Sequence, residues 1–157
     1  MLKLLKITLK ISQLIVIIGL LLTSQAYAAE NFCGRNQPHA IDTWYDQAMG
    51  KTRGITVNMR NVQGEAYQKW DRELNQNYKK LLNLLNEKDK KDLKEAQRAW
   101  LKFMSLEDKF LWSNAVYGNR GTMATLVVAD RGMSRLRDRV CDLEIYLEVV
   151  KENQRSN

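Results

Sequence analysis

Apolar side chains recur at steps of three and four residues over most of the chain, which is the spacing of one face of an α-helix. The clearest run predicts a helix from about Thr122 to Glu152, with a heptad seam of the kind that packs in helical bundles. Its members are Leu126, Ala129, Met133, Leu136, Val140, Leu143, Leu147 and Val150. Gly132 lies inside this helix, where it costs about 1 kcal/mol relative to Ala unless close packing compensates.

Two further long helices are predicted from about Val62 to Asn86 and from about Lys88 to Val116. The apolar stripe of the former is Tyr67, Trp70, Leu74, Tyr78, Leu81 and Leu85. The stripe of the latter is Leu93, Ala96, Ala99, Trp100, Phe103, Leu106 and Phe110. Because the join between the two helices is short, we expect them to fold back as an antiparallel pair.

A short helix from about Gln37 to Met49 comes before them, with Asn36 as its cap and Pro38 in its first turn. The length of 157 residues and the 45% hydrophobic and 27% charged content are those of one globular domain. The predicted fold is therefore all-α: an antiparallel, up-down-up bundle of three long helices, with the short N-terminal helix laid across it.

The N-terminus has the pattern of a secretory signal peptide. Three lysines precede an apolar run, Ile11–Leu22, and Ala26-x-Ala28 then fits a signal-peptidase site. We predict cleavage after residue 28 and a single mature domain over 29–157, located in the periplasm or secreted; an uncleaved anchor is the alternative. Removing the leader lowers the net charge from +7 to +4. A positive net charge suits a polyanionic partner in the cell envelope. After cleavage we expect no stable membrane span, and we expect no nucleic-acid partner for an exported protein.

Export also bears on Cys33 and Cys141, the only two cysteines. In an oxidising compartment one disulfide between them is the simplest expectation, and two free thiols are the alternative. A bridge closing a loop of this length contributes up to about 4–5 kcal/mol.

Two segments do not have a helical pattern and are candidates for contact with a partner. Gly50–Gly64 contains Lys51, Arg53 and Arg60 without an acid. The turn from Tyr117 to Gly121 carries Asn119 and, at its tip, Arg120. Both segments can also be plain connectors.

The chain offers little for catalysis. His39 is the only imidazole, near a helix start, and we interpret it as a capping or surface residue. The acids alternate with lysines and arginines on helix faces, which is typical of a solvated surface. No phosphate loop or metal-ligand spacing is present in the sequence. We therefore predict a non-enzyme with no metal and no cofactor.

The string Ala96-Gln97-Arg98-Ala99-Trp100-Leu101 resembles the hallmark of the lysozyme inhibitor LprI family, and the likeness extends from about Tyr67 to Leu143. Family members are small exported helical proteins with two arginines in the last helix, matched here by Arg137 and Arg139. Gln97 and Arg98 have two interpretations: packing, with Arg98 paired to an acid and Gln97 bonded to a loop carbonyl, or recognition of a partner.

The chain departs from the family pattern at two positions. Where members typically carry a cysteine after the string and another near the last conserved stretch, this chain has Asp108 and Arg131. We predict that an ion pair or simple proximity between them replaces that disulfide, so that Cys33–Cys141 staples the fold instead.

The resemblance implies inhibition of a lysozyme or another cell-wall hydrolase. Such enzymes cleave glycosides with two carboxylates in a cleft. A rigid loop with a cationic tip can enter that cleft, and Arg120 is the first choice, with Arg53 or Arg60 second. The alternatives are a non-catalytic periplasmic module that binds an envelope polyanion, and an immunity protein against a toxic wall hydrolase.

Overall fold

In the computed structural model, residues 32–156 are described, and they form four α-helices and a short 3-10 turn, with no strand among them. The helices are α1 (Ala40–Lys51), α2 (Thr56–Leu84), α3 (Glu87–Leu111) and α4 (Gly121–Ser156), and the turn is Phe32–Gly34. The three long helices run up, down and up, so the predicted all-α antiparallel bundle is confirmed. The predicted leader and its cleavage site lie outside the described residues.

The core is the seam between α2 and α4. The predicted stripe of α4 is buried almost throughout, and Val140 and Leu143 have no accessible surface. On α2 the indole of Trp70 is 1% exposed, and Phe32 from the N-terminal turn stacks on it with ring centroids 5.5 Å apart. Gln63 Nε2 donates to the carbonyl of Leu126 at 3.0 Å. Burial of these side chains is the main stabilising contribution to the bundle.

Helix α3 packs less closely, and the apolar face predicted for it is wrong at five of its seven residues, since only Leu93 and Trp100 pack against the core. Only Gln97 and Leu111 are buried on this helix. Most of the predicted face is exposed to solvent: Ala96, Ala99, Phe103, Leu106 and Phe110. The helix has two neighbouring apolar stripes, and the one that faces α4 consists of Leu93, Gln97, Trp100, Met104 and Leu111. A polar residue in the inner stripe made the outer one look like the core.

The N-terminal segment is held to α4 by covalent and ionic contacts. Cys33 and Cys141 form the predicted disulfide, with Cα atoms 5.4 Å apart. Arg35 donates to Glu144 and to Glu148, each at 2.6 Å. Together with the packing of Phe32, these contacts hold α1 and the turn before it against the two core helices.

The long basic loop predicted over Gly50–Gly64 is also wrong, because α1 ends at Lys51 and α2 begins at Thr56. A tight turn joins the helices, with Arg53 at φ 52° and Gly54 at φ 73°, the left-handed conformation that lets the chain reverse quickly. Lys51 therefore ends a helix and Arg60 lies on the first turns of the next. Gly64 sits on the exposed side of α2, where it does not break the helix.

The first helix starts later than predicted, and His39 rather than Asn36 caps it. His39 Nδ1 accepts from the backbone N–H of Ile41 at 3.2 Å. The interpretation of His39 as a capping residue is thus confirmed. Its ring is also packed between Phe32 and Trp70, with centroids 4.8 and 4.5 Å away.

Among the residues described, no helix combines the length and the apolar character needed to cross a membrane.

The basic end of the bundle as candidate functional site

The helix directions bring four separate segments to one end of the bundle. Gln63 near the start of α2 bonds to Leu126 near the start of α4, and Gln154 near the end of α4 bonds to Leu84 at the end of α2. The two helices are therefore parallel, and α3 runs against both. The N-termini of α2 and α4, the α1–α2 turn and the loop after α3 all lie at the same end.

The loop after α3, residues 112–120, is braced by its own backbone. The N–H of Tyr117 donates to Leu111 O at 3.1 Å, and the N–H of Gly118 donates to Ser113 O at 2.9 Å. A Cβ on Gly118 would lie 2.7 Å from the carbonyl oxygen of Trp112, so only glycine fits this turn without a shift. The loop therefore has a defined shape before any partner arrives.

Four cations project from this end, which we call the basic end: Lys51, Arg53, Arg60 and Arg120. All four are exposed, and none has an ion pair within the described part of the chain. Two sets of residues that the sequence placed in different loops are thus brought to one surface. Asn119 is exposed beside Arg120, and Tyr117 is half-buried at the base of the loop.

A cavity of about 350 Å³ opens at the same end, between α2, α3 and α4. Arg60, Gln63 and Asp108 supply its polar groups, and Tyr67 and Trp112 supply its aromatic walls. Burial, followed by the charges of Asp71 and Asp108, raises the pKa of Tyr67 above its ordinary value.

Some residues of the string Ala96–Leu101 on α3 face the inside of the bundle, and the others are exposed to solvent. Gln97 Oε1 accepts from Arg139 Nε at 3.1 Å, which ties α3 to α4 inside the bundle. The predicted bond of Gln97 to a loop carbonyl is therefore wrong. Arg98 is exposed and has no ion pair among the described residues, so its predicted pairing with an acid is not present. Trp100 is half-buried and lines a second cavity, of about 530 Å³, between α2 and α3.

The other arginine matched to the family, Arg137, bonds both carboxylate oxygens of Asp42, with its Nε at 2.9 and 3.0 Å. This contact holds α1 to α4. The predicted ion pair between Asp108 and Arg131 does not form within the described residues. The segment they were expected to fasten is held by Arg135, which pairs with Glu107 at 2.9 Å.

One side-chain cluster has the composition of a metal site. His39, Glu73 and Glu144 place nitrogen and oxygen atoms within 4.8 Å of one another. However, Nδ1 of His39 accepts the capping hydrogen bond, so the neutral ring carries its proton on Nε2 and has no lone pair left for a metal. Glu144 already accepts from Arg35. His39 and Glu144 are therefore already used in separate contacts, the first capping α1 and the second holding Arg35.

The described residues form an all-α bundle with buried polar contacts between its helices and four exposed cations at one end. The family model described as Lysozyme inhibitor LprI matches residues 48–143, more than half of the chain. The chain belongs to the lysozyme inhibitor LprI family. No curated protein and no solved structure gives a significant match to it.

Proposed function

We propose that this protein is exported and inhibits a cell-wall glycosidase by inserting the loop at its basic end into the enzyme's cleft. The family match supports inhibition of a lysozyme-like target. The observation that carries the mechanism is the braced loop, residues 112–120, which ends at Arg120 directly before α4, where the exposed guanidinium has no ion pair among the described residues.

The chemistry of a glycosidase active site explains why an exposed guanidinium would block it. A glycosidase holds two carboxylates about 5–9.5 Å apart on either side of the scissile bond. An arginine between them donates short, charge-assisted hydrogen bonds to carboxylate oxygens and excludes the sugar. Because the loop is already ordered by its backbone hydrogen bonds and by Gly118, little conformational entropy is lost when it binds.

The positive charge of the basic end restricts which hydrolases are suitable targets. Lys51, Arg53 and Arg60 add further positive charge at the same end of the bundle, and Arg60 lines the same cavity as Trp112 of the loop. Like charges across an interface slow association and lower affinity, so a strongly basic lysozyme is a poor partner. We expect an acidic hydrolase, or one with an acidic rim around its cleft, to be the target.

Export supports the same assignment. The N-terminal 28 residues have the signal-peptide pattern, and the Cys33–Cys141 disulfide is of a kind that persists in oxidising compartments. We place the mature protein in the periplasm or outside the cell, where wall hydrolases act. Intact-mass measurement of the chain recovered from the envelope tests this: processing after residue 28 supports it, and an unprocessed cytoplasmic chain contradicts it.

The direct experiment is a peptidoglycan lysis assay with several acidic and basic hydrolases. We expect inhibition of at least one acidic enzyme and a loss of about ten- to hundredfold for Arg120→Ala, since a hydrogen-bonded charged pair is worth about 1.5–3 kcal/mol. Arg155→Ala is the matched control, because Arg155 is an exposed arginine near the C-terminal end of α4, at the opposite end of the bundle. If no hydrolase is slowed, inhibition is wrong. If Arg120→Ala inhibits as well as wild type, the choice of loop is wrong.

A second candidate is a binding module for an envelope polyanion, which the shared location of the four cations favours. Polyanion binding should fall steeply with ionic strength and decline by similar steps for each of Lys51, Arg53, Arg60 and Arg120 replaced by alanine. Loop insertion should instead depend on Arg120 far more than on the other three. Gly118→Ala separates the two further, because it distorts the loop without removing a charge.

A further inference from the structure

The outer face of α3 is an apolar surface without a partner in the described chain. It consists of five residues spaced three and four apart, Ala96, Ala99, Phe103, Leu106 and Phe110, which we call the outer stripe. Its three large side chains are 50%, 56% and 58% exposed in chain order. At 1.5 Å per residue the stripe is about 21 Å long, with the heptad spacing of a helix that packs against another helix.

The stripe cannot be dismissed as scattered surface hydrophobics, because contiguous apolar patches on soluble proteins mark interaction sites. Helix α3 also has little packing on its inner face, where only Gln97 and Leu111 are buried. The guanidinium of Arg135 lies 5.9 Å from the ring centroid of Phe103, which covers one edge of the stripe only. A second helix against the outer stripe would supply the missing packing.

We propose that the outer stripe is covered by the outer stripe of a second copy of this chain, with the two α3 helices antiparallel. The stripe is complementary to itself in that direction. Its N-terminal half has two alanines, and its C-terminal half has a leucine and a phenylalanine, with Phe103 at the centre. Antiparallel pairing sets small residues opposite large ones, as closely packed layers require, whereas parallel pairing sets alanine opposite alanine and leaves gaps.

Charge favours the same direction. Along the flank of the stripe that faces away from α4, Glu95 lies in the N-terminal half, and Lys102 and Lys109 lie in the C-terminal half. Antiparallel helices bring Glu95 of each copy near Lys109 of the other, and such flanking pairs set partner and orientation in helix pairs. The Lys102 side chains of the two copies approach each other at the two-fold axis, where each is long and exposed enough to turn into solvent.

The basic end gives an independent reason. Parallel pairing would bring two basic ends side by side, with four unpaired cations on each. Antiparallel pairing directs them to opposite ends of the dimer and avoids that repulsion. Both ends then remain open, so that one dimer would hold two targets; this consequence alone rests on the proposed function.

Sedimentation equilibrium of the purified chain from low to high micromolar concentration tests the proposal. The stripe is shorter than a standard interface, so we expect a dimer in the micromolar range. Phe103→Lys and Leu106→Lys should each weaken it by at least about tenfold. Val149→Lys is the matched control, since Val149 is 49% exposed on α4 and lies outside the stripe. Circular dichroism confirms that each variant folds.

Cysteine cross-linking tests the direction. A mixture of Glu95→Cys and Lys109→Cys chains should form a covalent dimer that neither chain forms alone, whereas a parallel pair would hold the two positions about 21 Å apart along the helix axis and would not form it. A chain that stays monomeric at every concentration, or stripe variants that dimerise like wild type, would overturn the proposal. A monomer whose stripe variants lose hydrolase inhibition would also overturn it and assign the stripe to the target. Loss of inhibition in Arg120→Ala with the dimer intact bears only on the proposed function.

Discussion

The buried contact between Gln97 and Arg139 provides the sharpest test of how the bundle is held together. Arg139 is the only basic residue buried in the described chain, and its side chain is 9% exposed. Its Nε donates to Gln97 Oε1 at 3.1 Å. Its other contact, to Asp142, is long at 3.5 Å, and that carboxylate is 51% exposed. Gln97 therefore supplies the main buried acceptor for this charge.

Replacing Gln97 with alanine should destabilise the protein by about 2 kcal/mol. A hydrogen bond to a charged group contributes about 1.5–3 kcal/mol, and the donor left behind is too buried to recover that interaction fully from water. For a domain of this size the loss lowers the melting temperature by about 6–10 °C. Gln97→Glu keeps an acceptor in place and should recover most of the stability at neutral pH.

Urea denaturation followed by circular dichroism measures the effect, with an unchanged slope and a lower midpoint expected for Gln97→Ala. Arg98→Ala is the matched control, because Arg98 is the next residue in the same string but is exposed and unpaired. It should change the free energy of unfolding by less than about 0.5 kcal/mol. Equal effects for the two substitutions, or a Gln97→Ala protein as stable as wild type, would refute the assignment of Gln97 as a strut.

Other measurements test separate parts of the structure. Cys33→Ser should lower the free energy of unfolding by up to about 4–5 kcal/mol, measured against the oxidised protein, because the bridge closes a separation of 108 residues. Gly132→Ala should stabilise by up to about 1 kcal/mol in thermal denaturation, since the new Cβ would meet Tyr67 Cε2 at an ordinary 3.7 Å; Gly118→Ala should destabilise instead. Burial raises the pKa of Tyr45 and Tyr67 above 10 in the folded state. Burying the neutral phenols therefore stabilises the fold below pH 10, and this stabilisation is lost as the pH rises beyond it. If the free energy of unfolding of Tyr45→Phe falls with pH as steeply as that of wild type, the interpretation is contradicted.

The core could be predicted from the sequence because the stripes of α2 and α4 pack mainly against each other. Trp70, Leu74 and Leu81 on one helix and Val140 and Leu143 on the other are buried as their spacing indicated. For these helices only one face is continuously apolar, so the hydrophobic pattern has one solution.

Helix α3 shows where that rule fails. Its outer stripe is more hydrophobic than its inner stripe, yet the inner one faces the bundle. Gln97 can be buried because Arg139, 42 residues later, supplies a partner. A pattern along one helix contains no information about a donor on another helix, so the sequence indicated the wrong stripe.

The candidate site was predicted in its parts but not as a whole. The glycines around Arg120 indicated a turn with a cationic tip. Lys51, Arg53 and Arg60 were assigned to a long loop because Gly50–Gly64 has no helical pattern, whereas α1 ends only at Lys51 and α2 already begins at Thr56. The meeting of these cations with Arg120 depends on α2 and α4 being parallel, which is a property of the assembled bundle.

Because part of the family string, Ala96–Leu101, serves the fold, the string alone indicates little about which target the protein binds. Within the string, Gln97 is turned inward and Trp100 is half-buried, and these two residues fix α3, whereas Ala96, Arg98, Ala99 and Leu101 are exposed. The two inward residues serve the fold whatever the protein binds. If the protein acts as we propose, we expect specificity to come from exposed positions, such as Arg120 at the basic end and Phe103 on the outer stripe. Under that proposal, the charge of the basic end is a better guide to the target than the string itself.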